Sequence, residues 1–418
     1  MKKKNSVDLG SIRERELSMP ASSSRSWRLK YIVVLSAISL VILAFPVIVD
    51  FATFLPDGFR AELRRSINVG QENNIAAWWS GSLLFLAGMH ALDGYQFHTT
   101  KGSADRSRAW LVIAAILVGL SLDEIGSLHE RVHYLPFETW QFYLLVGSAI
   151  IAISGWALWR IWADRSQRST VVAIVIALSC FAAVVGQEYL EHSIDWPSHL
   201  VPLRTALEEG TELFAMLLLI WATMRNSGET FEPAEPARPT FWAAHSMPTW
   251  ALLCLFLAAP PVAVATASLP DQGRGHPADW VASMLFLLGA FSCWRTFLAR
   301  EPILGTDRFG LGFILFAGSA ACVAVSPTSF GHLVGISFNL RLAVLAVLVC
   351  CAAAYVWLCL GLAERRSAYG WLLVAYFTSF FAMPSDSLIA VYLLTCIVAL
   401  LSYSLAALGR AHGKSKPW

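Results

Sequence analysis

Histidines and carboxylates recur in three short segments, and each segment adjoins a long apolar run. The segments are LDEIGSLHERVH at 122–133, GQEYLEH at 186–192 and LEEGTE at 207–212. Imidazole nitrogen and carboxylate oxygen together form the ligand set that proteins use for iron, manganese or zinc. The pattern therefore predicts a metal site whose candidate ligands are Asp123, His129, Glu130, His133, Glu188, Glu191, His192, Glu208, Glu209 and Glu212.

Helical phase favours convergence of the candidate ligands within each segment. Since an α-helix turns about 100° per residue, the acids and histidine of 188–192 fall within an arc of roughly 100°. The acids of 208–212 do the same. Asp123 shares an arc of roughly 120° with the polar residues of 129–133 if that helix continues so far, whereas Glu124 points elsewhere. Each segment is therefore expected to present one polar face.

Charge balance leaves three explanations open for these segments. The three segments and their flanks contain ten acids but only Arg131 and Arg204 as fixed cations. Carboxylates at the end of a helix also meet the negative end of its dipole, so something positive must offset them. A bound metal, protons shared on a proton or cation path, or a structural salt-bridge network would each do so. For Glu208 and Glu209, the positive dipole at a helix start after Pro202 is a further alternative.

The elements that must position these residues are membrane-spanning helices. Hydrophobic residues make up 56% of the 418 residues and charged residues only 14%, which is typical of a polytopic integral membrane protein. Because a span needs about 20 apolar residues, the sequence predicts an all-α bundle of about 12 transmembrane helices. The predicted spans are 31–53, 76–96, 108–128, 140–162, 170–191, 203–224, 241–266, 279–299, 308–325, 340–362, 369–384 and 387–408.

The distribution of Lys and Arg predicts the orientation of the chain. Even-numbered connections are richer in cations than odd-numbered ones, so the N and C termini are both expected to be cytoplasmic, in a bacterial-type cytoplasmic membrane. The net charge of +2 gives no reason to expect nucleic acid. The predicted organisation is a polar tail at 1–28, a six-helix half at 29–224, a cytoplasmic linker at 225–240, a six-helix half at 241–408 and a tail at 409–418.

This topology would bring the three polar segments together. Spans three and five are expected to end at the outer face, where span six begins. The predicted site therefore lies near the outer face, next to membrane lipids. The 17 tryptophans fit interfacial belts at span ends, with Trp78, Trp79, Trp159 and Trp162 among them.

The carboxylates and histidines of 123–212 resemble the ligand sets of di-iron carboxylate proteins. In that family, inward-facing Glu and Glu-x-x-His groups on a helix bundle hold two metal ions. His192 here lies four residues after Glu188 and one after Glu191, so the strict Glu-x-x-His spacing is missing. The resemblance implies iron or manganese rather than zinc, and oxidation, hydroxylation or desaturation of a lipid or other membrane-borne substrate.

HERVH at 129–133 resembles the zincin motif His-Glu-x-x-His. This second resemblance implies a membrane metallohydrolase in which His129 and His133 bind zinc and Glu130 is the catalytic base. A proton- or cation-coupled transporter is the remaining alternative, because the number of spans alone favours it. A metal-dependent membrane enzyme of the di-iron type is the preferred hypothesis.

Overall fold

The computed structural model describes residues 22–51, 54, 56, 75–126, 139–193, 196–197, 200–228, 283–284 and 287. The described segments are helical, which confirms the all-α prediction for this part of the chain. A short 3-10 turn at Arg165–Gln167 precedes the fifth of six α-helices. These are α1 (Ser22–Phe51), α2 (Ile75–Thr100), α3 (Ala104–Gly126), α4 (Thr139–Trp162), α5 (Arg168–Ser193) and α6 (Val201–Gly228).

The six helices coincide with the first six predicted spans to within a few residues at most ends. Four of them, α1, α2, α4 and α5, contain segments long and apolar enough to cross a membrane. These segments are Arg28–Val49, Ile75–Thr99, Leu145–Trp162 and Arg165–Gln187. α3 and α6 carry most of the described acidic candidates, which is why their composition is less apolar.

α2 is the central helix of the described bundle. It packs against α3, α6 and α1, while α3 also contacts α4 and α5 contacts α6. Every residue from Ala76 to Met89 is buried. Trp78 and Trp79 are 3% and 1% exposed, so they belong to the core and the expectation of an interfacial belt is wrong for this pair. Trp159 is 64% exposed, in agreement with that expectation.

Two glycines on one face of α2 allow α3 to approach closely. A methyl group at Gly81 would come within 2.6 Å of Ile125, and one at Gly88 within 2.9 Å of Val118. Gly81 faces the C-terminal end of α3 and Gly88 its middle, so the two helices run antiparallel. Small residues at such a contact are a common basis of helix packing in membranes.

α4 and α5 differ from α2 because much of their apolar surface is exposed. Their outer faces expose large apolar side chains, including Leu145 at 72%, Ile151 at 73% and Val185 at 65%. Such faces suit lipid, because hydrocarbon removes the need to cover them with protein. The described part of the chain therefore combines a protein-buried helix with apolar faces on the outside.

Candidate functional site

Asp123 and Glu124 lie in the last turn of α3, beside the first turns of α2. The hydroxyl of Ser121 donates to the carbonyl of Gly81 at 2.7 Å, which fixes the end of α3 against α2. Asp123 and Glu124 are both partly buried, and Ile125 after them is fully buried. The carboxylates therefore lie where the bundle is still packed, one residue from its core.

The acids of 208–212 on α6 lie near the same end of α2. A methyl group at Gly210 would be 3.1 Å from Leu43 of α1. One turn earlier on α1, Ser39 accepts a hydrogen bond from the Trp79 indole at 2.8 Å. α1 thus connects 208–212 with the first turns of α2. The acids of α6 and those of α3 therefore both lie toward the end of the bundle at which α2 begins.

We call this region the acidic end of the bundle. α5 ends at Ser193 and α6 begins at Val201, so the short connection between them places the last turns of α5 there as well. The acidic side chains that α3 and α6 contribute to this end are all partly buried. They are Asp123, Glu124, Glu208, Glu209 and Glu212.

The start of α6 rules out one explanation for its acids. α6 begins at Val201, and its first turn contains no acidic residue. Glu208 therefore lies roughly 10 Å along the helix, and Glu212 roughly 16 Å. The dipole effect is confined to about the first turn, so the alternative explanation of Glu208 and Glu209 by the helix dipole is wrong. The helix dipole does not account for their position.

The acids at the end of α3 lie at the unfavourable pole of their helix. The last turn of α3 has no basic residue. On α6, Arg204 lies one turn before Glu208 and is partly buried. A carboxylate at a helix C-terminus is destabilised by roughly 0.3–1 kcal/mol unless a cation or a proton offsets it. Interactions from neighbouring elements must therefore stabilise Asp123 and Glu124.

The other predicted ligands fall where side chains are not described. His129, Glu130 and His133 lie outside the described residues. Glu188, Glu191 and His192 belong to the last two turns of α5, for which the structure gives the backbone alone. Among the side chains that are described, no three His, Cys, Asp or Glu are grouped to hold a metal ion. Nitrogen donors for a metal would have to come from 129–133 or from His192.

The opposite end of α2 carries a charge network that sequence reasoning missed. Arg106, at the start of α3, donates to the carboxylate of Asp164 in the connection between α4 and α5. Arg160 of α4 lies 3.4 Å from the carboxylate of Asp105. Two ion pairs thus join the first turn of α3 to the end of α4 and to the connection that follows α4. We call this region, residues 97–108 and 159–168, the basic end of the bundle.

The ionised carboxylate of Asp164, at the basic end, is stabilised by its neighbours. Partial burial is the largest influence on its carboxyl and opposes ionisation. Hydrogen bonds from the hydroxyl of Ser166 at 2.8 Å and its amide at 3.0 Å outweigh burial, together with the positive charge of Arg106 and His98. The pKa of Asp164 is consequently lower than its usual value of 3.8. The sequence signal was the Asp-x-Ser spacing, which is typical of a side-chain-capped turn.

Buried histidines on α2 are a further feature of this half of the helix. His98 is 2% exposed, and its carbonyl accepts the amide of Ser103 in the turn that leads to α3. About two to three turns before the helix end, the Nδ1 of His90 lies 3.7 Å from the carboxylate of Asp93. The ring of Tyr31 on α1 meets His90 edge-on at 6.2 Å. His90 and Asp93 therefore form a polar pair inside a segment apolar enough to cross a membrane.

Comparison with known proteins adds a family match and no function. Residues 32–227 match the model of a family described as a domain of unknown function, DUF8692. The match includes nearly all of α1 to α6 and leaves the C-terminal half outside. No curated protein matches the chain, and no solved structure does either. Over its helical N-terminal half, the chain is similar to a family whose function has not been assigned.

Proposed function

We propose that the chain is a polytopic membrane enzyme with a metal-dependent site at the acidic end, and that it acts on a lipid or other membrane-borne substrate. One observation carries the proposal: partly buried carboxylates from α3 and α6 lie near the same end of α2. Carboxylate oxygens are suitable donors for a metal ion. The last turns of α5, with His192, belong to the same end.

The chemistry of the donors favours iron or manganese. Carboxylates on α3 and α6 supply oxygen donors, and His129, His133 and His192 would supply nitrogen donors. A pair of such ions would provide oxidation, hydroxylation or desaturation chemistry. The carboxylates would hold the ions, and the packed end of α3 would limit the access of water. Zinc held by HERVH, with Glu130 as base, is the hydrolytic version of the same proposal.

The proposed topology extends the described helices to the whole chain. We place about 12 spans across the membrane, with both termini on the cytoplasmic side, together with the basic end. The acidic end then lies near the outer face. The cations of the basic end support this orientation, because positive residues concentrate on the cytoplasmic side. The membrane would be a bacterial-type cytoplasmic membrane.

Metal content tests the proposal. We would measure iron, manganese and zinc in the purified full-length protein and in a Glu191→Ala, His192→Ala double variant. Asp105→Asn, at the basic end, is the matched control. About two equivalents of iron or manganese, lost only in the double variant, would support the di-metal enzyme. About one zinc would support the hydrolase. Absence of metal from all three proteins, after growth with added metal, would contradict the enzyme proposal.

Proton- or cation-coupled transport is the second candidate, and a separate observation favours it. His90 and Asp93 form a polar pair within a candidate span of the central helix, and ionisable residues inside membranes often mark proton or ion paths. His90→Gln should then abolish coupled flux in vesicles while the metal content stays unchanged. Flux equal to that of the unaltered protein would exclude this role for the pair.

A further inference from the structure

The basic end has more cations than its own acids can pair. Residues 97–108 and 159–168 contain six Lys or Arg and two Asp. Both acids, Asp105 and Asp164, already lie in ion pairs with Arg160 and Arg106. The four remaining cations all have exposed side chains. They are Lys101, Arg108, Arg165 and Arg168.

Aromatic rings accompany the cations at this end. The Lys101 ammonium lies 4.2 Å from the ring centroid of Phe97, and the Arg168 guanidinium lies 5.3 Å from that of Trp162. Trp162 is 41% exposed, at the end of a helix with a lipid-suited face. Tryptophan at a span end is typical of the level of lipid headgroups. A guanidinium stacked on a ring also keeps its N–H edge available for a phosphate.

The ion pair between Arg106 and Asp164 connects the two segments that form this surface. It joins the first turn of α3, which lies between Lys101 and Arg108, to the connection between α4 and α5, which contains Arg165 and leads to Arg168. Cations from two separate helix junctions thereby lie at the same end of the bundle. The surplus of four positive charges on that surface matches the negative charge of a leaflet rich in anionic lipids.

We propose that the basic end is a docking surface for the phosphates of anionic phospholipid headgroups, with Lys101, Arg108, Arg165 and Arg168 as the contacting residues. The occupant is the lipid of the adjacent leaflet, because the aromatic rings and the lipid-suited face of α4 continue directly from the cations. The surface is independent of the proposed metal site at the other end of α2.

Native mass spectrometry of the full-length protein with added lipid tests this proposal. We expect phosphatidylglycerol to be retained in preference to phosphatidylcholine, and the preference to fall with added salt. Replacing the four exposed cations with glutamine should weaken phosphatidylglycerol binding at least tenfold, since each cation near an anionic surface contributes about fivefold. Arg165→Lys with Arg168→Lys keeps the charge and should retain most of the binding.

Three results would overturn the proposal. The unaltered protein could bind both lipids equally at low salt, which needs no variant to observe. The glutamine variant could retain phosphatidylglycerol as the unaltered protein does. Inorganic phosphate alone could displace the lipid and raise the thermal stability of the protein as much as phosphatidylglycerol does. That result would show a simple anion site instead of a lipid surface.

Discussion

At one end of α2, five partly buried carboxylates lie on α3 and α6. At the other end, the segments 97–108 and 159–168 contain two carboxylates and six cations. The acids of the basic end are paired with named arginines. Those of the acidic end lie on helices whose dipoles do not help them, and the last turn of α3 has no basic residue. Carboxylates thus lie among an excess of cations at one end of α2 and among other carboxylates at the other.

This difference distinguishes acids that form structural ion pairs from acids that are candidates for a functional site. An ion pair with Arg106 of α3 accounts for Asp164 without any ligand. Asp123 and Glu212 instead belong to a group of carboxylates from two helices, which are the oxygen donors that a metal ion would need. The contrast is why we assign the metal site to the acidic end and lipid docking to the basic end.

Gly81→Ala should give the largest effect on stability, because it acts on the packing that holds the acidic end. The added methyl group would lie 2.6 Å from Ile125 and 3.2 Å from the carbonyl of Ser121, and Ile125 is fully buried. Overpacking of this kind costs about 2–3 kcal/mol. Thermal unfolding in detergent, followed by tryptophan fluorescence, would measure it.

Gly119→Ala is the matched control for that substitution. Gly119 lies on α3, and a methyl group there would meet nothing within 4 Å. Its stability should be unchanged or slightly higher, because alanine favours helix by up to about 1 kcal/mol. Equal stability of the two variants would contradict close packing of α2 on α3.

Ser39→Ala should have the next largest effect. Trp79 is 1% exposed, and its indole N–H donates to the Ser39 hydroxyl at 2.8 Å. Losing that acceptor leaves a buried donor without a partner, at a cost of about 1–2 kcal/mol. Ser179→Ala is the control, since that exposed hydroxyl bonds only within its own helix, to Val175 at 2.9 Å. The same unfolding assay should show no change for the control. An equal loss of stability in Ser179→Ala would contradict the role assigned to the hydrogen bond between Trp79 and Ser39.

The ion pair of Arg106 with Asp164 should give the smallest effect, with a pH dependence. The two side chains are 38% and 23% exposed, so screening limits their coupling in a double-mutant cycle to about 1 kcal/mol or less. The pKa of Asp164 is lowered on folding. Its stabilisation is therefore present above its ordinary value of 3.8 and lost as the pH falls through the lower folded value.

Arg106→Gln, Asp164→Asn and the double variant would be unfolded at neutral pH and at a pH far enough below 3.8 to protonate Asp164 in the folded protein. Coupling that persists at the lower pH would contradict an ionised Asp164 as its source. The more exposed pair of Arg160 with Asp105 should show weaker coupling, on the order of a few tenths of a kcal/mol.

The sequence predicted the described helices well, because a span of about 20 apolar residues is a strong signal. It could not identify α2 as the buried centre, since a helix facing lipid and one facing protein are equally apolar. For the same reason Trp78 and Trp79 were misplaced at an interface. The pairing of Arg106 with Asp164 joins residues 58 positions apart, and no local pattern reports such a contact. The metal site itself stays a prediction.

Binding of Mn²⁺ to the two ends tests the central contrast most directly. Electron paramagnetic resonance would follow free Mn²⁺ during titration of the full-length protein, a Glu209→Gln, Glu212→Gln variant and an Asp105→Asn, Asp164→Asn variant. We predict tight binding that only the substitutions at the acidic end weaken, by at least tenfold. Equal binding by all three proteins, or a loss confined to the basic-end variant, would contradict a metal site at the acidic end.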